Sequence, residues 1–324
     1  MDAVGQAAAL PASRFVLDGV VPPYDFAPAL VEYTIYPWIR EGDTLARVLR
    51  LASGAVVKAE IRSTGTVRRP SLQVTVRAGA PLAEADVDEV RTTLRRCLLL
   101  DADPRPFYAL ARRDPVLHAA VGTAQGGRGK CYPTVFEALI GVVCAQNTLF
   151  KRVYGMMERL ATAFGTPLDL DGRRYYAFPV PADLAAASED AIRACKVGYR
   201  ARYIKGIARR VVDSGLDLEA LRRVRPEAAR QVLLDLPGVG PYAADLVLSV
   251  GLGHGVIHVD SFVRAIVSTF YFDGQPLSDE AIVAFARTRW PGFESAAIGA
   301  LTTNTHVWAR ALGVDFRLKS GAVR

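Results

Sequence analysis

Polar and apolar residues alternate with period two in Val57-Lys58-Ala59-Glu60-Ile61-Arg62 and again in Leu72-Gln73-Val74-Thr75-Val76-Arg77. Successive strand side chains point to opposite faces, so this pattern predicts strands that turn one face to a core. Tyr33-Thr34-Ile35-Tyr36, β-branched and aromatic and closed by Pro37, adds a further strand. The span from about Arg14 to Arg77 therefore reads as an antiparallel sheet with one face buried. The period then changes. Val87, Val90, Leu94, Cys97 and Leu98 fall on one stripe of a helix over 86–100.

From Asp101 onward the pattern is helical nearly to the end. Pro133 opens an apolar helix over 134–144, which ends at the polar run Gln146-Asn147-Thr148. Helical periodicity resumes over 153–164, and the Pro-, Arg- and Tyr-rich stretch 169–181 reads as a loop. Ser188 is placed to cap the next helix, another starts at Gly198-Tyr199-Arg200-Ala201-Arg202-Tyr203, and a short one lies around 217–223. The spans 278–289 and 293–312 are helical by pattern, followed by a basic tail. Gly126-Gly127-Arg128-Gly129-Lys130 is a loop too irregular for a phosphate-cradling motif.

The most informative stretch is Arg230 to Tyr271. An apolar helix (Val232, Leu233, Leu236) meets the turn Leu236-Pro237-Gly238-Val239-Gly240, and a second helix starts at Pro241. Gly238 and Gly240 can take φ > 0, and proline suits a first helical turn, where its missing N–H had no partner. The amides of such a turn and helix start form an anion site for which phosphate is the natural ligand. Asp260 follows Gly240 by twenty residues, in His258-Val259-Asp260-Ser261-Phe262-Val263-Arg264. An aspartate between an apolar run and a new helix is by default an N-cap, and a cap can also be a catalyst.

Composition narrows the function classes. At 324 residues, 51% hydrophobic and 23% charged, the chain reads as globular, with room for two domains or one with an appendage. No apolar run approaches a membrane span, and MDAVGQAAALPASRF lacks a basic region ahead of its apolar residues, so the cytosol is the expected location. The net charge of +7 suits a polyanionic partner. Cys97, Cys131, Cys144 and Cys195 are too irregularly spaced to suggest a disulfide framework or a zinc site.

LPGVG followed by an aspartate in a VD-S-x-V-R setting resembles the helix-hairpin-helix DNA glycosylase superfamily, which contains endonuclease III, the inducible 3-methyladenine glycosylase and the 8-oxoguanine glycosylases. The resemblance implies that Gly238, Val239 and Gly240 grip the DNA backbone and that Asp260 serves base excision. In relatives that also cleave the strand, a lysine two residues after the last hairpin glycine attacks C1′; here Tyr242 holds that place, so lyase chemistry should be missing. In 3-methyladenine glycosylases an aromatic there lines the base pocket, a role implied for Tyr242 beside the plain one of a half-buried helix residue. Some relatives carry an iron–sulfur cluster after the aspartate, but no cysteine follows Cys195.

A second set of residues points to the 8-oxoguanine branch. Cys144-Ala145-Gln146-Asn147 with Arg152, and the run from Gly198 to Tyr203, resemble that enzyme. There the asparagine fills the gap left by the flipped nucleotide, the tyrosine wedges the stack, and two arginines read the orphaned cytosine. These roles fall on Asn147, Tyr199, Arg152 and Arg200; phosphate contact or a solvated helix face is the plain alternative for the two arginines. Trp308 is a candidate pocket wall or, more commonly for tryptophan, core.

The expected architecture is α+β: an N-terminal antiparallel β domain over 1–105, then an all-α two-lobed helix-hairpin-helix core over 106–324 with its hairpin at about 230–253. The expected function is that of a monofunctional DNA glycosylase of base excision repair that flips a damaged, alkylated purine out of double-stranded DNA and hydrolyses its N-glycosidic bond. Excision of an oxidised purine opposite cytosine, and a non-catalytic DNA-binding protein, are the alternatives. No organic cofactor or catalytic metal is expected; a monovalent cation at the hairpin carbonyls is compatible with the resemblance. A monomer is expected, cytoplasmic and nucleoid-associated if bacterial.

Overall fold

The computed structural model describes residues 12–31 and 35–316. One antiparallel sheet contains β1 (Ala12–Leu17), β2 (Trp38–Glu41), β3 (Thr44–Arg50), β4 (Val56–Ser63) and β5 (Leu72–Ala78), in the order β1-β5-β4-β3-β2. Register pairs Ala59 with Val76 and Ile61 with Val74, so the odd-numbered apolar residues of β4 face the even-numbered ones of β5 on one side. The helix Glu84–Cys97 covers that side with Val90, Leu94 and Cys97.

Three expectations are corrected in this part. Tyr33 and Thr34 lie outside the described residues, and Ile35 and Tyr36 are not strand; β2 begins only after Pro37, which lacks the N–H a ladder needs. Instead the Tyr36 hydroxyl accepts from Tyr176 N (3.1 Å) and donates to Tyr176 O (2.9 Å). The stretch read as a loop holds a hairpin, β6 (Pro167–Leu170) with β7 (Arg173–Tyr176), turning at Asp171-Gly172, where both residues have positive φ. That hairpin packs Leu168, Leu170 and Tyr175 onto Val48, so the sheet is covered on its second face too. Lys58 is consequently buried, its ammonium held by Glu41 (2.9 Å) and Glu60 (2.9 Å) and placed 4.6 Å from the Tyr175 ring.

The helices form two further apolar clusters. In the first, Val135–Ala145, Phe150–Phe164, Ala201–Ser214 and the hairpin helices Pro226–Leu234 and Pro241–Val250 pack together, with Val143, Ile204, Leu233 and Val247 fully buried. In the second, Pro115–Thr123 joins Ser261–Tyr271, Asp279–Arg289 and two short terminal helices around Trp290 and Trp308. The fold is thus an antiparallel sheet followed by two helical lobes, the α+β class expected. The expected single helix over 293–312 is two, Glu294–Thr302 and Thr305–Ala311, broken at Asn304, whose φ is 50°.

Buried ionic groups tie the parts together. Arg47 of β3 pairs with Glu137 of the Val135–Ala145 helix, both almost fully buried, with Arg47 lying 5.2 Å from the Trp38 ring. Arg128, in the glycine-rich loop, donates to the carbonyls of Leu99, Leu100, Ala102, Val21 and Pro23. Asp114 caps Pro115–Thr123 and gathers five donors: Val116 N, Leu117 N, Tyr271 Oη, Arg289 Nε and Trp290 Nε1, at 2.9–3.2 Å.

Candidate active site

The hairpin forms as its sequence directs. The chain leaves Pro226–Leu234, turns through Pro237 and Gly238, and Pro241 takes the first position of the next helix. Gly238 has φ 76°, the left-handed region that favours glycine. Gly240, expected to need the same freedom, has extended backbone instead (φ −89°, ψ 179°), and a Cβ there would meet nothing within 4 Å. Its place as the residue before the helix brings it to the amide-rich end. The first amides of Pro241–Val250 have no carbonyl four residues back in the helix to bond, which makes this end an anion site. Val239 contributes backbone only, because its side chain is buried.

Asp260 caps Ser261–Tyr271, its Oδ1 accepting from Val263 N at 2.8 Å. The cap fixes the carboxylate and leaves Oδ2 with no hydrogen-bond partner among the described residues, so capping and chemistry do not compete. The segment 251–260 carries the chain from the hairpin lobe to the other lobe, and Asp260 stands at its far end. Tyr242, on the first turn of the second hairpin helix, is 48% exposed, and its ring stands edge-to-face with His258 (centroids 6.0 Å, 83°). His258 thus meets the tyrosine ring and also feels the charge of Asp260 two residues on. Asp245 joins the two hairpin helices through Arg230 (2.6 Å).

Asn147 and Tyr199 also come together. Asn147 adopts φ 47° and donates to the Tyr199 hydroxyl at 3.2 Å, and both are exposed. They border a hollow of about 540 Å³ whose wall includes Lys151, Arg152, Arg159 and Lys196. Arg152 is exposed there. Arg200 is not free to read a base: it is 6% exposed, its guanidinium donates to the carbonyls of Gln146 and Val197, and it lies 4.7 Å from the Tyr199 ring. Burial in a polar cluster turned an apparent reader into a brace. Gln146 in turn donates from Nε2 to Gly238 O at 2.8 Å, joining this loop to the hairpin.

Trp308 does not line a pocket. It is fully buried, stacked on Phe270 (4.6 Å), with its indole N–H on Leu301 O at 3.2 Å. A second hollow of about 310 Å³ between Phe262 and Phe316 is lined by Thr302, Asn304 and His306, and Tyr242 and Asp260 line neither hollow. Sequence reasoning missed His258, Gln146 and Arg230. For His258 the signal was its place two residues before Asp260.

Two helices joined by a turn with Pro237 and Gly240 exposed, followed by an aspartate that caps the first helix after the linking segment, make a helix-hairpin-helix arrangement. The family model described as the HhH-GPD superfamily base excision DNA repair protein matches residues 140–291 of the chain. The chain is 28% identical over 169 residues to the DNA-3-methyladenine glycosylase of Bacillus subtilis, covering 52% of this chain and 56% of that protein. It is 26% identical over 305 residues to a "Probable N-glycosylase/DNA lyase" of Methanothermobacter thermautotrophicus, covering 88% and 92%. The solved 3-methyladenine DNA glycosylase from Archaeoglobus fulgidus shares the fold, with TM-score 0.76 at 22% identity over 92% of this chain and 98% of that one.

Proposed function

We propose that this chain is a DNA glycosylase of base excision repair that releases a flipped, alkylated purine by hydrolysis and leaves the strand uncut. The observation that carries the reading is Asp260, fixed by Val263 N behind the hairpin while Tyr242 occupies the place where a strand-cleaving relative has its amine. Glycosidic cleavage develops positive charge on the sugar, and a carboxylate held in place beforehand stabilises that charge without reorganising. Asp260 Oδ2 is the oxygen available for this and for orienting water. The Tyr242 ring offers a π-face to an electron-poor base, which leaves readily when cationic and so needs no strong acid.

The hairpin amides and the basic hollow beside Asn147 would hold double-stranded DNA by its phosphates, with Asn147 and Tyr199 entering the gap in the stack. Gly238 O, a carbonyl of the hairpin turn, already accepts from Gln146 Nε2 at 2.8 Å. The chain would act as a monomer; no helix among the described residues is long and apolar enough to cross a membrane. The Asn147–Tyr199 contact favours a second reading, excision of an oxidised purine opposite cytosine, but the engagement of Arg200 removes one of the two arginines that reading needs.

The test is a panel of duplexes, each with one defined lesion opposite each base. Alkylated purines should be released fastest, product strands should stay intact until heat or alkali, and borohydride should trap little covalent complex. Asp260→Asn should nearly abolish release with duplex affinity unchanged or raised, because a negative charge near phosphates is removed. Preference for an oxidised purine opposite cytosine would select the second reading. Efficient trapping by the wild type would refute the monofunctional assignment.

A further inference from the structure

His258 has no role in the scheme above, yet it stands against the Tyr242 ring and within electrostatic reach of Asp260. It lies two residues before Asp260 and meets the Tyr242 ring at 6.0 Å. Its Nδ1 is sealed from solvent and has no hydrogen-bond partner among the described residues. A neutral imidazole can leave that nitrogen as a bare acceptor with its proton on Nε2. An imidazolium cannot: both nitrogens then carry N–H, and the one at Nδ1 would be a buried donor without an acceptor.

We propose that His258 is a positioning residue of the reaction, supporting the Tyr242 ring and, by staying uncharged, keeping a competing cation away from the carboxylate that must face a positive sugar. This rests on the reading of Asp260 and Tyr242 given above. Were His258 to take a proton, its charge would compete for Asp260 and repel both the oxocarbenium-like sugar and a cationic base. The groups facing it are Asp260 on its own segment and Asp245 and Tyr242 on the second hairpin helix. Asp245 is already paired with Arg230. Burial holds the imidazole below its ordinary value of 6.5 against the opposing pull of the two aspartates. The sign follows: the unfolded chain protonates first, so the neutral, competent state persists to a pH below 6.5 and is lost beneath it.

The experiment compares two abasic-site duplexes, one with a pyrrolidine in place of the sugar, cationic throughout the range, and one with neutral tetrahydrofuran. Affinities are measured between pH 8 and pH 5 by fluorescence anisotropy. The wild type should prefer the cationic duplex at pH 8 and lose about tenfold or more of that preference in acid, the scale of one unit charge a few ångströms away. His258→Gln and His258→Phe, the second of which keeps an aromatic ring against Tyr242, should hold the preference flat over the pH range where the wild type loses it. An acid loss that persists unchanged in both variants overturns the proposal, as does a wild-type preference that does not vary with pH. No preference for the cation at any pH would instead count against the site at Asp260 itself, which keeps the two failures distinguishable.

Discussion

Gly238 shows how narrowly one residue can be specified. Its φ of 76° disfavours any side chain, and a Cβ would stand 2.5 Å from Cγ of Tyr203, well inside contact distance. Gly238→Val should therefore distort the turn and weaken binding to damaged and undamaged duplexes alike, by about tenfold or more, because phosphate contacts carry no sequence information. Gly240→Ala should fold normally, since its backbone is extended and the space beside it is open. Binding titrations with the two variants check this; a loss confined to one lesion would remove the hairpin from its phosphate role. The LPGVG spelling announced this turn, but not which glycine was indispensable. That depended on the ring of Tyr203, thirty-five residues earlier in the chain.

At the scale of elements, Asp114 decides how the helix carrying Asp260 is seated. It caps one helix while holding Tyr271 at the end of another and Arg289 and Trp290 at the end of a third. Asp114→Ala would strand the buried indole N–H while Arg289, 44% exposed, turns to solvent, and should cost about 1–3 kcal/mol in urea unfolding. Burial pushes this carboxyl up, but its bonds to Leu117 N, Arg289 and Trp290 prevail and hold it below the ordinary 3.8. Its contribution is then complete above 3.8 and lost as pH falls through the lower folded value, so wild type and variant should converge in stability at strongly acid pH. Element reading from sequence failed in instructive places. The β6–β7 hairpin has strands of only four residues, and Asp171-Gly172 was its one clear turn signal among prolines and arginines. The terminal helices share one apolar pattern across Asn304, so periodicity could not see the break.

For the whole molecule, the change of period from two to helical near residue 86 showed the order of sheet and helices, and two aligned glycines and an aspartate marked the hairpin lobe. Hidden from the sequence was which polar residues face water. Arg47 and Lys58 look solvated in an alternating strand and are instead buried in ion pairs. The Arg47–Glu137 pair joins the sheet to the hairpin lobe imperfectly: Arg47 Nε and Nη1 and Glu137 Oε1 lack partners among the described residues. Burial outweighs the neighbouring guanidinium and raises the Glu137 carboxyl above its ordinary 4.5. Glu137→Ala alone should cost roughly 3–5 kcal/mol, while Arg47→Met with Glu137→Leu should be neutral or stabilising by about 1–4 kcal/mol. Urea denaturation of both variants checks the pair, and equal losses would mean that its geometry rather than its charge matters.

Gln146 has a consequence for anyone who would rebuild this protein. By donating to Gly238 O while its own carbonyl accepts from Arg200, it fastens the loop of Asn147 to the turn of the hairpin across ninety-two positions of chain. The hairpin is thus not a portable cassette. Grafted alone into another helical scaffold, it would keep its amide-rich turn but lose the strut that holds that turn to the loop of Asn147. A working transplant has to carry both loops and the brace between them.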